Sequence, residues 1–194
     1  VDGLLIRDSG ERGITADFAT RITLQNLTLL RSATDAVVIG GTGHLLDHNE
    51  FLDSGTRHAG GDGSAVGTGL AINWNTAGQA NQSLVIRRNR ILHAMDASGA
   101  GIALKEISAA LIEGNEIVHC AHGIMADSST NPIDRIVFIN NLIAHNITGI
   151  YFYGVKGSHI AIGNTFRSNL WTVSIVGDGD PLNDVWQGNY WDTY

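Results

Sequence analysis

The stretch LIEGNEIVHCAHGI, residues 111–124, gathers His119, Cys120 and His122 behind Glu113 and Glu116. Imidazole, thiolate and carboxylate are the donors that hold zinc or copper, so a metal centre is the first chemistry these types raise. Such ligands must converge on one ion at about 2 Å, and neither a CxxC nor an HxxxH spacing is present to bring them together. No residue is therefore assigned as a metal ligand. His93, His119 and His145 each stand four residues after an Asn, as do Asp53 and Ser168, which predicts one polar column.

A second set has more chemical promise. Asn73, Trp74, Lys105, Asp127, Tyr151 and Tyr153 lie in or beside short apolar runs, with Arg57, His58 and Asp62 in a nearby glycine-rich stretch. Lys105 is one of two lysines in the chain. A flat aromatic beside an amide, a cation and a carboxylate suits a sugar, which offers an apolar ring face and a rim of hydroxyls.

The elements that must position these residues form a repeat. Asn, any residue, then a large apolar residue recurs at Asn49, Asn89, Asn115, Asn141, Asn164 and Asn189, with looser matches at Asp2 and Asn26. Successive markers are 24, 23, 40, 26, 26, 23 and 25 residues apart. Before each marker lies an alternating run such as SLVIRRN or RIVFINN, and after it a small residue opens another, as in GLAI, GIAL, GIMA and GIYF. Each period thus holds two or three short strands joined by turns, without a helical period.

Such a unit cannot bury its apolar positions alone, and stacking each turn of chain on the last gives a parallel β-helix with coils about 4.8 Å apart. The sequence predicts an all-β parallel β-helix of about eight coils, right-handed if the resemblance given below holds, one domain over 1–194 within a larger protein. Like residues stack on like, so the Asn residues become a ladder that satisfies turn backbone. Inserted loops at about 54–68, 75–83 and 127–134 flank the strand face that carries Asn73, Lys105, Asp127 and Tyr153, and would wall it.

Composition sets bounds. Charged residues make up 16% and hydrophobic ones 43%, which describes a globular chain. The formal net charge of −7 leaves no basic footprint for nucleic acid or an anionic membrane surface. No apolar run reaches the ~18–20 residues of a membrane-spanning helix. An open first coil would need a cap, supplied by an upstream segment or an additional chain.

VIRRNRI…GAGIAL, LIEGNEI…HGIM and VFINNLI…TGIYFY resemble the repeats of right-handed parallel β-helix proteins of the carbohydrate-binding and sugar-hydrolase class, which includes pectate-lyase-like folds. The closing GNYW at 188–191 resembles that of NosD-type periplasmic proteins, accessory factors in copper-site maturation of nitrous oxide reductase. The resemblance implies an extracytoplasmic location, secreted or periplasmic, and a polysaccharide or other glycan as partner. In a polyuronate lyase Lys105, Arg57 or His58 would be the base and Ca2+ the accompanying ion. In a glycosidase two carboxylates from Asp62, Glu106 and Asp127 would flank the scissile bond. On this reading Lys105 and Asp127 are the catalytic candidates, and Asn73, Trp74, Tyr151, Tyr153, Arg57 and His58 bind substrate. The other reading is a non-catalytic, NosD-like accessory or docking module.

Overall fold

The computed structural model describes residues 1–55, 67–72, 83–94, 99–107, 109–127, 135–154, 158–177 and 184–192. Three parallel sheets of eight, seven and seven strands run along the molecule, and the chain visits them in strict rotation. The first sheet holds the strands that follow the Asn markers, for example Glu50–Leu52, Arg90–Leu92 and Glu116–Val118. The second holds the longest, including Ala100–Lys105, His122–Asp127 and Thr148–Tyr153, and the third includes Leu84–Arg87, Ala109–Glu113 and Arg135–Ile139. This is the parallel β-helix the repeat predicts. With seven strands in two of the sheets, the number of complete coils is slightly below the expected eight.

Stacking in register fills the interior with columns of one chemistry. Phe51, Ile91 and Ile117 align in the first sheet, Leu70, Ile102, Ile124 and Ile150 in the second, and Leu46, Ile86, Ile112 and Phe138 in the third. All are fully buried, so the alternation that identified each strand is the alternation between this core and the outside. The second sheet's strands open on a small residue for a steric reason. A Cβ on Gly123 would stand 2.6 Å from the Gly149 carbonyl oxygen, and one on Gly149 2.5 Å from that of Thr172.

The Asn ladder is continuous from Asn49 to Asn189. The Asn115 side-chain oxygen accepts from the Asn89 backbone N–H at 2.9 Å and its amide at 3.0 Å, while the Asn115 amide donates to Ile86 O and to Asn141 Oδ1, each at 3.0 Å. The marker at Asn26 corrects by one residue. The Leu27 N–H donates to Asn49 Oδ1, so Leu27 takes the rung and Asn26 is the left-handed turn residue before it, with φ 54°. By the same register Leu4, not Asp2, is the equivalent position in the first coil. Asp2 instead accepts from the Asn26 and Gln25 side chains.

At the far end the last coil is aromatic: Trp191 stacks on Phe166 with centroids 4.6 Å apart, and Trp186 lies 5.6 Å from Trp191. At the near end Val1, Leu4 and Leu5 are exposed.

Candidate functional site

The turn after each first-sheet strand sorts its two residues to opposite fates. The first adopts a left-handed backbone, with φ 56° at Asp53, 59° at His93, 56° at His119, 56° at His145 and 53° at Ser168. Its side chain stands outside, and the three imidazoles form a stack: His93 to His119 at 5.3 Å and 25°, His119 to His145 at 5.1 Å and 19°. Asp53 Oδ1 lies 2.9 Å from His93 Nδ1 at one end, and Ser168 donates to Asp192 Oδ2 at 3.5 Å at the other. Left-handed geometry at non-glycine residues is uncommon, and here the stacked coils impose it at every level.

The second residue of the turn points inward. Cys120 is buried, its thiol 3.6 Å from the Val118 carbonyl oxygen, and burial pushes that thiol up to about 12. The next rungs of its column are Asn146 and Asn169, a second amide ladder: the Cys120 N–H donates to Asn146 Oδ1 at 2.9 Å, and Asn146 donates to Asn169 Oδ1 at 3.0 Å. A buried protonated thiol is neither nucleophile nor ready ligand. His119 and Cys120, adjacent in sequence, therefore lie on opposite sides of the wall. His122 is on a third face, opening its second-sheet strand with its ring 4.8 Å from that of Tyr151. Its Nδ1 is buried without a hydrogen-bond partner among the described residues, and burial lowers its basicity.

The second sheet's outer face carries the candidate column. The register aligns Lys105 with Asp127 and Asp127 with Tyr153, and beside them Ala71, Ala103, Met125 and Tyr151. Lys105, Asp127 and Tyr151 are half-buried and Tyr153 is 44% exposed. Ala71 and Ala103, although on the outer side, are only 3% and 1% exposed, as is Val38 at 1%. The face is thus buried at Val38, Ala71 and Ala103, half-buried at Lys105, Met125, Asp127 and Tyr151, and exposed at Tyr153. Asn73, Trp74, Arg57, His58 and Asp62 lie outside the described residues. Glu106, offered as a glycosidase carboxylate, is 1% exposed just beyond the strand that carries Lys105.

Three polar features escaped the sequence reading. His44 and His159 occupy one inward column of the third sheet, where the other coils place Leu84, Ala110 and Ile136. His44 Nδ1 accepts the Ile22 N–H at 3.2 Å and His159 Nδ1 the Ile136 N–H at 3.1 Å, which assigns the proton to Nε2 in each. Both Nε2 atoms are buried without a partner among the described residues, and burial lowers both groups, His159 to about 4. Their signal was present: HLLD and HIAI place His immediately before the third-sheet strand in both coils.

Asp47 is the hub of an ion cluster, with Arg88 Nη2 at 2.7 Å, Arg87 Nη2 at 2.9 Å and His48 Nδ1 at 2.9 Å. Burial raises its pKa, but hydrogen bonds from Arg88 and Arg87 outweigh it and hold the carboxyl below its usual range. Asp35, 5% exposed, goes the other way: burial raises it despite the Thr68 N–H at 3.0 Å and Arg12 at 3.4 Å.

Fold and surface define a parallel β-helix with a hydrogen-bonded wall and an aromatic, charged outer face. The family described as periplasmic copper-binding protein (NosD) matches residues 74–194, and the chain belongs to that family. The family's periplasmic description agrees with the extracytoplasmic location the repeats implied. No solved structure matches the chain.

Copper is part of the family's description, and a copper ion needs donors that converge on one point. Among the described residues no three His, Cys, Asp or Glu side chains group as a metal site. The stacked imidazoles hold their rings roughly parallel, so their nitrogen lone pairs run side by side and do not meet at one point. Cys120 faces the core. The described residues do not fit a preformed copper centre.

Proposed function

We propose that this chain is a non-catalytic accessory module that works outside the cytoplasm and docks a partner protein through the outer face of its second sheet. The observation that carries this reading is the change along that face, from the buried Val38, Ala71 and Ala103 to the half-buried Met125, Asp127 and Tyr151 and the exposed Tyr153. A step of this kind gives a partner both an edge to register against and an aromatic, charged platform. Family membership supports an accessory role, and the absence of a convergent donor set among the described residues favours docking over metal storage. For hydrolysis, a carboxylate pair flanking a sugar is needed. Of the carboxylates offered, Asp127 lies on the open face and Glu106 is buried.

A second reading keeps the same surface and replaces the partner by a polysaccharide. Tyr153 in register with Asp127, and Lys105 one coil below, favour it. Two measurements separate the readings. A photo-crosslinker at Tyr153 should give one discrete protein adduct that Asp127→Arg abolishes, while the same group at Arg135 on the third sheet gives none. Equal adducts at both positions would refute docking here. Saturable binding of an oligosaccharide, lost on Lys105→Ala, would transfer the face to the glycan reading.

A further inference from the structure

The first sheet turns outward a face that the second-sheet docking surface does not include. Each of its strands buries the middle residue and turns the two beside it outward, so two outer columns run across the coils. One reads Thr28, Glu50, Arg90, Glu116, and the other Leu30, Leu52, Leu92, Val118. The apolar column is only half-buried. The turn that follows adds a third column, Arg31, Asp53, His93 and His119, so an apolar track lies between two polar rails. Charge alternates from coil to coil: Arg31, then Glu50 with Asp53, then Arg90, then Glu116. Within the chain this lets neighbours pair, Arg90 with Glu116 at 3.2 Å and Asp53 with His93 at 2.9 Å. Such pairing does not account for the leucines between the rails.

We propose that this face joins two copies of the chain in an antiparallel dimer, whose two-fold axis runs along the strands, midway between the coils of Glu50 and Arg90. Reversing an alternating series about that point sets each sign on its opposite. Glu50 of one copy meets the partner's Arg90, Asp53 meets the partner's His93, and Leu52 packs on the partner's Leu92; the symmetry makes each contact twice. One coil further out, Leu30 packs on the partner's Val118, the Thr28 hydroxyl faces the partner's Glu116, and the Arg31 guanidinium lies against the ring of the partner's His119. At the ends of the face Leu5 reaches the partner's Leu142 and Asp8 the partner's His145.

Other two-fold placements of the same face fit worse. An axis along the solenoid would set Glu50 over the partner's Asp53 and Arg90 over the partner's His93. An axis through a single coil would set Glu50 on the partner's Glu50, or Arg90 on the partner's Arg90. The matched face spans six coils, roughly 25 Å, by four residues, roughly 10 Å. That is the small end of specific interfaces, so the dimer is reversible and not obligate. It lies on the first sheet and does not depend on the docking face of the second.

The test is sedimentation equilibrium of the intact chain from about 1 to 500 µM, which should show a monomer–dimer equilibrium. Glu50→Arg and Arg90→Glu each put like charges on both copies of the central pair, and each should weaken self-association at least about ten-fold. Mixed one to one, the two variants should recover a dimer of near wild-type affinity, because the charge reversed on one copy then meets the charge reversed on the other. Circular dichroism verifies that each variant is folded. Leu92→Ser leaves every charge in place and should also weaken association, which keeps the test decisive if a charge reversal unfolds the chain. A chain that stays monomeric over the whole range would give the face to a different partner and overturn the second copy as its occupant. Association that the single variants leave unchanged, or a mixture of folded variants that does not recover the dimer, would overturn it equally.

Discussion

Burial of His159 should make this β-helix sensitive to acid well before its carboxylates titrate. In the folded chain its Nδ1 accepts the Ile136 N–H, its Nε2 is buried without a partner among the described residues, and its ring stacks on Phe152 at 5.2 Å. Protonation would place a second N–H where a backbone donor already points and a charge where no water reaches, which is why burial lowers the group from 6.5 to about 4. The unfolded chain, with an ordinary imidazole, binds the proton more readily. Its contribution to stability is therefore fully present above pH 6.5, falls as pH drops from 6.5 toward 4, and levels off below that. The gap between about 4 and 6.5 corresponds to roughly 3 kcal/mol, a large part of a typical domain's stability. Urea denaturation of the wild type and of His159→Asn at half-unit steps from pH 7.5 to 3.5 isolates the effect. Asparagine keeps an acceptor for Ile136 but does not titrate. Wild-type stability should fall by about 3 kcal/mol more than the variant's across that window. Parallel profiles would refute the assignment of an unprotonated, desolvated imidazole at this rung.

Three further outcomes follow from the wall of the helix. Asn115→Ala strips the acceptor from the Asn89 N–H and the donor from Ile86 O, and should cost roughly 3–5 kcal/mol in a urea midpoint measurement at unchanged slope. Gly123→Ala forces a methyl to within 2.6 Å of the Gly149 carbonyl oxygen and 2.9 Å of Ile143 Cγ2, and should lower stability by about 2 kcal/mol. Cys120, buried with its thiol pushed up to about 12, should react with a disulfide reagent at pH 8 only at the rate of unfolding. A fast native-state reaction would place it outside the wall.

The repeat made the architecture legible because three independent constraints fall on one period: the inward apolar residue, the buried Asn and the small residue at the strand opening. Where one of them is missing the reading slips. Leu27 holds the rung without a side-chain acceptor, so the eye moves to Asn26, which has the right letter in the neighbouring position. His44 and His159 escaped because their column is apolar in Leu84, Ala110 and Ile136, and a polar residue there breaks the pattern instead of extending it. On the second sheet the alternation correctly sent Ala71 and Ala103 outward, but alternation reports direction and not cover, and both are buried. The register of Lys105, Asp127 and Tyr153 was readable from period alone. Arg57 and His58 fall in an expected insertion, where no repeat constrains position, and with Asn73 and Trp74 they lie outside the described residues.

The His-Cys-x-His cluster shows why chemistry read from adjacency misleads in a solenoid. The residue at φ 56° turns outward at every coil, so Asp53, His93, His119, His145 and Ser168 share solvent and one another, not their sequence neighbours. Cys120 shares its environment with Asn146, 26 residues on, and through it with Asn169 a further 23 residues on, and not with His119. The outward position faces solvent and its neighbours in the column, and it carries acid, base or hydroxyl in successive coils. The inward one must supply an amide, a small group or a buried thiol. Any binding function of this turn is consequently written in the outward column alone.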